Sequence, residues 1–227
     1  MNEQSRDTPL RFPRGLYGVT PDWDDTDRLD AAVRDAAAGG MVAVQLRLKT
    51  VQVQTRLKIA QRLRKACSEL GILYIINDDW RLATEVNADG VHLGRDDGNP
   101  FEVREAVGDS LLIGVSCYAD PQRAQQLMQV PADYVAFGAM YASGTKPAAL
   151  PAPHSVLTQG QALARQYAGK VGYPRPAVVA IGGITPDNTR PLIEAGADSV
   201  AVIGALFNAP DIAQAAKQFT RHFSGSN

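Results

Sequence analysis

Between Leu16 and the C-terminal end, short β-branched runs alternate eight times with longer stretches of helical periodicity. That is the pattern of successive βα units around a parallel sheet. The expected strands are Leu16–Val19, Met41–Arg47, Ile72–Asn77, Gly90–Leu93, Leu111–Ser116, Tyr134–Phe137, Ala177–Ile181 and Ser199–Ile203. Most are too short for helices and too continuously apolar for a sheet wet on one face. Helices are expected over Asp27–Ala38, Val51–Leu70, Asp79–Val86, Phe101–Val107, Pro121–Met128, Ser155–Tyr167, Pro186–Ala195 and Asp211–Phe223. Asp24, Asp78, Ser155 and Thr185 are candidate N-caps, and Gly39, Gly71 and Gly196 candidate stops. Eight alternations within 227 residues point to an α/β fold, a single-domain (β/α)8 TIM barrel, with an open doubly wound sheet as the alternative. The barrel is expected over residues 15–227, behind a polar N-terminal extension over 1–14.

Charge and composition exclude several function classes. Lys plus Arg number 23 against 24 Asp plus Glu, so no global field draws the chain to nucleic acid or to an anionic membrane, and any anion site must be local. The opening Met1–Arg14 lacks the apolar core of a signal peptide, and no apolar run reaches the length of a membrane helix. Cys67 and Cys117 stand alone, without the spacing of a zinc site or a disulfide framework, so a reducing cytoplasm is the expected compartment.

A parallel barrel places its chemistry at the carboxyl ends of its strands, so the informative residues are polar ones where each apolar run stops. In Val44-Gln45-Leu46-Arg47-Leu48-Lys49 the period of two puts Gln45, Arg47 and Lys49 on one face. The third run ends in Asn77-Asp78-Asp79 and the fourth in Gly94-Arg95-Asp96-Asp97. One carboxylate in each turn could serve as a helix cap, but four exceed what capping requires. Beside Arg47 and Lys49 they make a plausible site for magnesium and a diphosphate, because Mg2+ takes one or two carboxylates and fills its other positions with water and phosphate oxygens. After the seventh and eighth strands, Ile181-Gly182-Gly183 and Ile203-Gly204-Ala205 let backbone N–H groups approach a phosphate closely. Two anion sites suit an enzyme that joins a diphosphate ester to a phosphorylated acceptor. The long connection from Gly138 to His154, carrying Ser143, Thr145 and Lys146, reads as a mobile active-site loop. His92 lies near the mouth, as either a packed strand residue or a catalytic one.

Over nearly its whole length the chain resembles thiamine-phosphate synthases. The resemblance rests on Leu16-Tyr17-Gly18-Val19-Thr20, on Val44 to Lys49, on Ile75-Ile76-Asn77-Asp78 and on Ala88 to Gly94 with Asp97. It continues through Ile113-Gly114-Val115-Ser116, Gly144-Thr145-Lys146-Pro147 and Ile181-Gly182-Gly183-Ile184. It implies that Arg47, Lys49, Asn77 and Lys146 hold the diphosphate and act in catalysis, that Asp78 and Asp97 bind Mg2+, and that Gln45 and Ser116 face an aminopyrimidine. Ser143, Thr145, Gly183 and the Ile203-Gly204 turn would hold the thiazole phosphate. The implied partners are these two small molecules, with no nucleic acid and no membrane. The chain departs from the family pattern at Gly204, where a hydroxyl donor is common, at Ser143, where threonine is usual, and at Leu48, where an acid is frequent. Rival readings are a thiazole tautomerase, a Schiff-base aldolase using Lys49 or Lys146, and a phosphate-binding barrel without catalysis.

Overall fold

The computed structural model describes residues 10–129, 132–142, 150–171 and 174–223. The strands β1 (Gly15–Val19), β2 (Met41–Leu46), β3 (Leu73–Asn77), β4 (Gly90–Leu93), β5 (Leu112–Tyr118), β6 (Tyr134–Phe137), β7 (Ala177–Ile181) and β8 (Ser199–Val202) close into one barrel in chain order. Each pair is parallel, and β8 returns to β1 with Gly15 opposite Ser199. An open sheet is thereby excluded. Between the strands run α1 (Thr26–Ala38), α2 (Val53–Leu70), α3 (Trp80–Glu85), α4 (Pro100–Val107), α5 (Pro121–Leu127), α6 (Ser155–Val171) and α7 (Pro186–Glu194). After β8 come a one-turn helix, α8 (Gly204–Phe207), and then α9 (Ile212–Thr220).

The near-continuous apolar character of the strands follows from burial on both faces. One set of side chains, including Tyr17, Val19, Ala43, Ile75, Tyr134, Val179 and Ala201, fills the barrel interior. The alternate set, such as Leu16, Val44, Ile76, Val91, Val178 and Val200, packs against the helices. Phe12 plugs the floor, fully buried, with its ring 4.9 Å from Tyr17 and 4.2 Å from Tyr134. Thus Leu10 to Arg14, within the segment expected as a polar extension, already packs onto the barrel.

Three aspartates that open β4, β6 and β8 tie the floor together. Asp89 accepts from the Tyr74 amide at 2.8 Å and from Arg64 at 2.7 Å. Asp133 accepts from the Ile113 amide and from Arg104, each at 2.8 Å, with Arg11 at 2.8 Å on its other oxygen. Asp198 takes the Val178 amide at 2.9 Å, Gln161 at 2.8 Å and both ends of the Arg175 guanidinium at 2.7 and 2.8 Å. Each carboxylate thus holds a backbone amide of the preceding strand and faces an arginine, which a buried anion such as Asp133 or Asp198 requires.

Helix starts correct some sequence expectations by one residue. Asp25 rather than Asp24 caps α1, accepting from the Arg28 amide. Asp79 rather than Asp78 caps α3, accepting from the Leu82 amide. Ser155 is the first residue of α6, and the C-cap of α7 is Ala195, one residue before Gly196. Thr185, Gly39 and Gly71 hold the expected cap positions. The helix α8 has no signal in the sequence, because its four residues continue the apolar β8 run and carry no periodicity of their own.

Candidate active site

A cavity of about 810 Å3 opens over the carboxyl ends of the strands, within the size range of small-molecule sites. Gln45, Arg47, Lys49, Asn77, Asp78, Asp97, Ser116, Gly183, Ile203 and Gly204 all line it. The alternation read in the second strand persists beyond its end at Leu46: Leu46 and Leu48 are buried, while Gln45, Arg47 and Lys49 face the cavity. This extension is held by the loop after β1, where Thr20 Oγ1 accepts from the Arg47 amide at 2.9 Å and Asp22 Oδ1 from the Lys49 amide at 2.8 Å. Burial alone would raise the Asp22 carboxyl, but the Lys49 amide, the Thr50 hydroxyl and amide, and the Arg47 charge hold it below the usual range.

Because Asp79 takes the cap, Asp78 is released for other work. It adopts a left-handed backbone with φ of 66°, unusual for a residue with a Cβ, and its amide donates to the His92 carbonyl at 2.8 Å. Its carboxylate meets the Lys49 ammonium at 2.9 Å. Asp97 is set by the turn after β4, where its Oδ2 accepts from the Gly94 amide at 2.9 Å. Partial burial, then the hydrogen bond and charge of Asp78, raise the Asp97 carboxyl above the usual range, against the Gly94 amide and Lys49. Asn99, not either aspartate of that turn, caps α4. Two carboxyl groups within hydrogen-bonding reach repel when both are ionised, and a divalent cation relieves that repulsion. Among the described residues no group of three or more His, Cys, Asp or Glu side chains converges on a metal position. A pair of carboxylates with open positions fits Mg2+, which dehydrates reluctantly and shares its remaining positions with water and phosphate.

Across the cavity, Gly182 and Gly183 have φ of 103° and 64°. The start of the β6–α6 connection is laid against them: the Met140 amide donates to Ile181 O at 2.9 Å and the Tyr141 amide to Gly182 O at 3.0 Å. A Cβ on Gly183 would stand 2.5 Å from Ala142 O and 2.7 Å from Tyr141 O, so only glycine fits. Ile203 caps α8, whose first N–H groups have no partner inside the helix. Ser143, Thr145 and Lys146 lie outside the described residues; Ala142, immediately before them, lines the cavity.

His92 is a packed strand residue that also borders the cavity. It is buried and stacked on Tyr134 at 5.5 Å, yet its Nε2 reaches Ser116 Oγ at 2.8 Å on the cavity side. Tyr17, Tyr118 and Asn208 also line the cavity and Asp22 props the wall beside it, none of them marked in the sequence. Arg95, in the acidic turn after β4, lines it too, with its guanidinium 4.8 Å over the Tyr118 ring. Arg95, the first polar residue after Gly94, answers to the same strand-end rule that found Arg47, whereas Tyr17 sits inside an apolar run and carries no such signal.

Fold and cavity together define a (β/α)8-barrel protein with a charged wall on one side of its mouth and a glycine-lined wall on the other. The family model described as thiamine monophosphate synthase matches residues 16–206. A thiamine-phosphate synthase of Bordetella pertussis (strain Tohama I) is 57% identical over 95% of this chain and 97% of that protein. One from Thiobacillus denitrificans is 46% identical over 94% of this chain and 96% of its own length. Among solved structures, a thiamine phosphate pyrophosphorylase from Pyrococcus furiosus superposes with a TM-score of 0.75 at 29% identity, covering 92% of this chain and 95% of that one. The chain belongs to the thiamine monophosphate synthase family.

Proposed function

We propose that this chain condenses an aminopyrimidine methyl diphosphate with a thiazole phosphate, plain or carboxylated, to give thiamine phosphate and diphosphate. The observation that carries the reading is the joint presence, in one cavity, of a cationic and acidic wall and a backbone-lined wall. Arg47, Lys49 and Asn77 take the diphosphate, with Lys146 as the cation contributed by the connecting loop. Asp78 and Asp97 would hold Mg2+, which when bound spreads the negative charge of the leaving group. Gln45 and Ser116 face the pyrimidine; Gly183 and the Ile203-Gly204 turn, with Ser143 and Thr145, take the thiazole phosphate.

The chemistry asks for no enzymic nucleophile. The C–O bond between the pyrimidine methylene and the diphosphate breaks, the electron pair leaving with the diphosphate while the ring amino group feeds charge toward the carbon. The thiazole nitrogen then forms the new C–N bond. Arg47 and Lys49 are placed before the reaction begins, so they stabilise the departing charge without reorganisation. The cavity holds no Cys–His pair: Cys67 and Cys117 are buried, and burial pushes both thiols up to about 12. A Schiff-base aldolase acting through Lys49 is disfavoured by the ion pair of that lysine with Asp78; Lys146, the other candidate, lies outside the described residues. A thiazole tautomerase would need only the glycine-lined wall, and the charged wall argues against it. Among the described residues no helix is long and apolar enough to cross a membrane. With small-molecule substrates and a near-balanced net charge of −1, this favours a cytoplasmic enzyme acting without nucleic acid or lipid.

Incubation with both substrates and Mg2+ should release diphosphate and form thiamine phosphate in equal amounts. Tight binding of both ligands with no product would leave only the binding-protein reading.

A further inference from the structure

Beneath the cavity, five side chains from five strands are joined in one hydrogen-bonded series. Gln45 Nε2 donates to Tyr17 Oη at 2.7 Å, and Tyr17 Oη lies 2.9 Å from Tyr134 Oη. Tyr134 Oη is 3.0 Å from His92 Nδ1, and His92 Nε2 is 2.8 Å from Ser116 Oγ. Tyr17, Gln45, His92 and Tyr134 are at most 9% exposed; Gln45 and Ser116 reach the cavity at the two ends, Tyr17 and His92 also border it, and Tyr134 lies behind them.

Counting protons gives this series a direction. Burial raises both phenols well above their ordinary range, so each keeps its single proton and must place it on an acceptor. Tyr17 accepts from Gln45, so its own proton goes to Tyr134; the Tyr134 proton goes to His92 Nδ1. The imidazole is then the tautomer protonated at Nε2, which donates to Ser116 Oγ. Ser116 is left with its O–H to donate into the cavity. Gln45 has its amide nitrogen turned inward, one N–H on Tyr17 and a further contact with Tyr134, which leaves Oε1 as its acceptor.

We propose that Tyr17, Tyr134 and His92 are positioning residues whose one-way relay sets the polarity with which Gln45 and Ser116 read a heteroaromatic amine: an acceptor for its exocyclic N–H and a donor for a ring nitrogen. The inference rests on the reading of this part of the cavity as the pyrimidine subsite. None of the three residues needs to touch the reacting atoms. The relay explains why two phenols and an imidazole occupy a barrel interior that, above Phe12, is mostly Val, Ala and Ile: a site built to hydrogen-bond its ligand discriminates strongly against analogues that lack the partner group.

The test measures calorimetric binding of the aminopyrimidine methyl diphosphate and of an analogue with hydrogen in place of the amino group, both with Mg2+, to the parent, Tyr134→Phe and Tyr17→Phe. Both substitutions keep the ring and remove one link; the second breaks the same series if the first does not fold. The parent should prefer the amino compound by about 10-fold or more, the worth of one hydrogen bond to a buried group. Each folded variant should lose most of that preference, while thiazole phosphate affinity stays at the parent value. If the preference survives in variants that melt near the parent, the relay is overturned and the subsite stands. A loss spread equally over both pyrimidines and the thiazole phosphate also overturns it, since that is packing damage. A parent with no preference for the amino compound overturns the subsite reading and the relay together.

Discussion

At the floor of the barrel Asp89, Asp133 and Asp198 each face an arginine and a backbone amide, whereas at the mouth Asp78 and Asp97 face each other with Lys49 beside them. The residue type is the same and the electrostatic situation opposite. Floor carboxylates have their charge matched by arginines within the protein, although burial still holds the Asp133 carboxyl above the usual range, and removing one would leave its buried partners unpaired. Mouth carboxylates are left with excess negative charge, a cost to stability that makes sense where a cation is to be received. The two ends therefore divide stability from chemistry along the barrel axis, as the class does generally.

Substitutions at the two ends should separate cleanly. The largest effect is expected for Asp198→Ala, which strands a fully buried Arg175 and orphans the Val178 amide. Urea melts should show a loss of about 3–5 kcal/mol, with the Mg2+ requirement of whatever folds unchanged. A loss below about 1 kcal/mol, as for an exposed ion pair, would erase the contrast. Next come Asp78→Asn and Asp97→Asn, expected to lower turnover by about 100-fold or more, partly restored by added Mg2+, with melts close to the parent. An unchanged Mg2+ dependence in both would remove the metal from the mouth.

Smaller effects sharpen the division within the mouth itself. Gly183→Val forces a β-branched residue into φ of 64° against two carbonyls, so thiazole phosphate binding should weaken about 10-fold or more while pyrimidine diphosphate binding holds. Titration of each ligand separately checks it, and equal weakening of both would contradict two independent walls. The smallest effect belongs to Gly204→Ser. A Cβ there meets only the Asn208 amide, at 3.4 Å, and the backbone is not left-handed. Stability should shift by about 0.5 kcal/mol at most, and thiazole phosphate affinity should hold or rise.

What the sequence disclosed depended on whether a residue announced itself against its surroundings. The strands were legible because runs such as Ala177–Ile181 are buried on both faces, and the mouth because Gln45, Arg47 and Lys49 interrupt such a run with a period of two. The choice between Asp78 and Asp79 as cap was not legible, since either can precede a helix; the left-handed backbone at Asp78 decides it. Phe12 is one aromatic in a polar segment, and only closure of the barrel reveals that it fills the floor. Tyr17 and Tyr134 read as core, which they are, but their hydroxyl partners come from distant strands that no local pattern links.

The floor clamps also leave one quarter of the barrel without their kind of fastening. Carboxylates at the starts of β4, β6 and β8 secure the pairs β3–β4, β5–β6 and β7–β8, but β2 follows Gly39-Gly40 and has no aspartate there. The β1–β2 ladder is moreover out of step between Leu16 and Tyr17, while the other irregular pair, β5–β6, has the Asp133 clamp beneath it. Breathing of the sheet should therefore concentrate at β1–β2, and deuterium should enter its amides before those of Tyr74, Ile113 and Val178. The hydrogen bond from Gln45 to Tyr17 bridges these same two staves, so a ligand that engages Gln45 tightens the loosest joint in the cask.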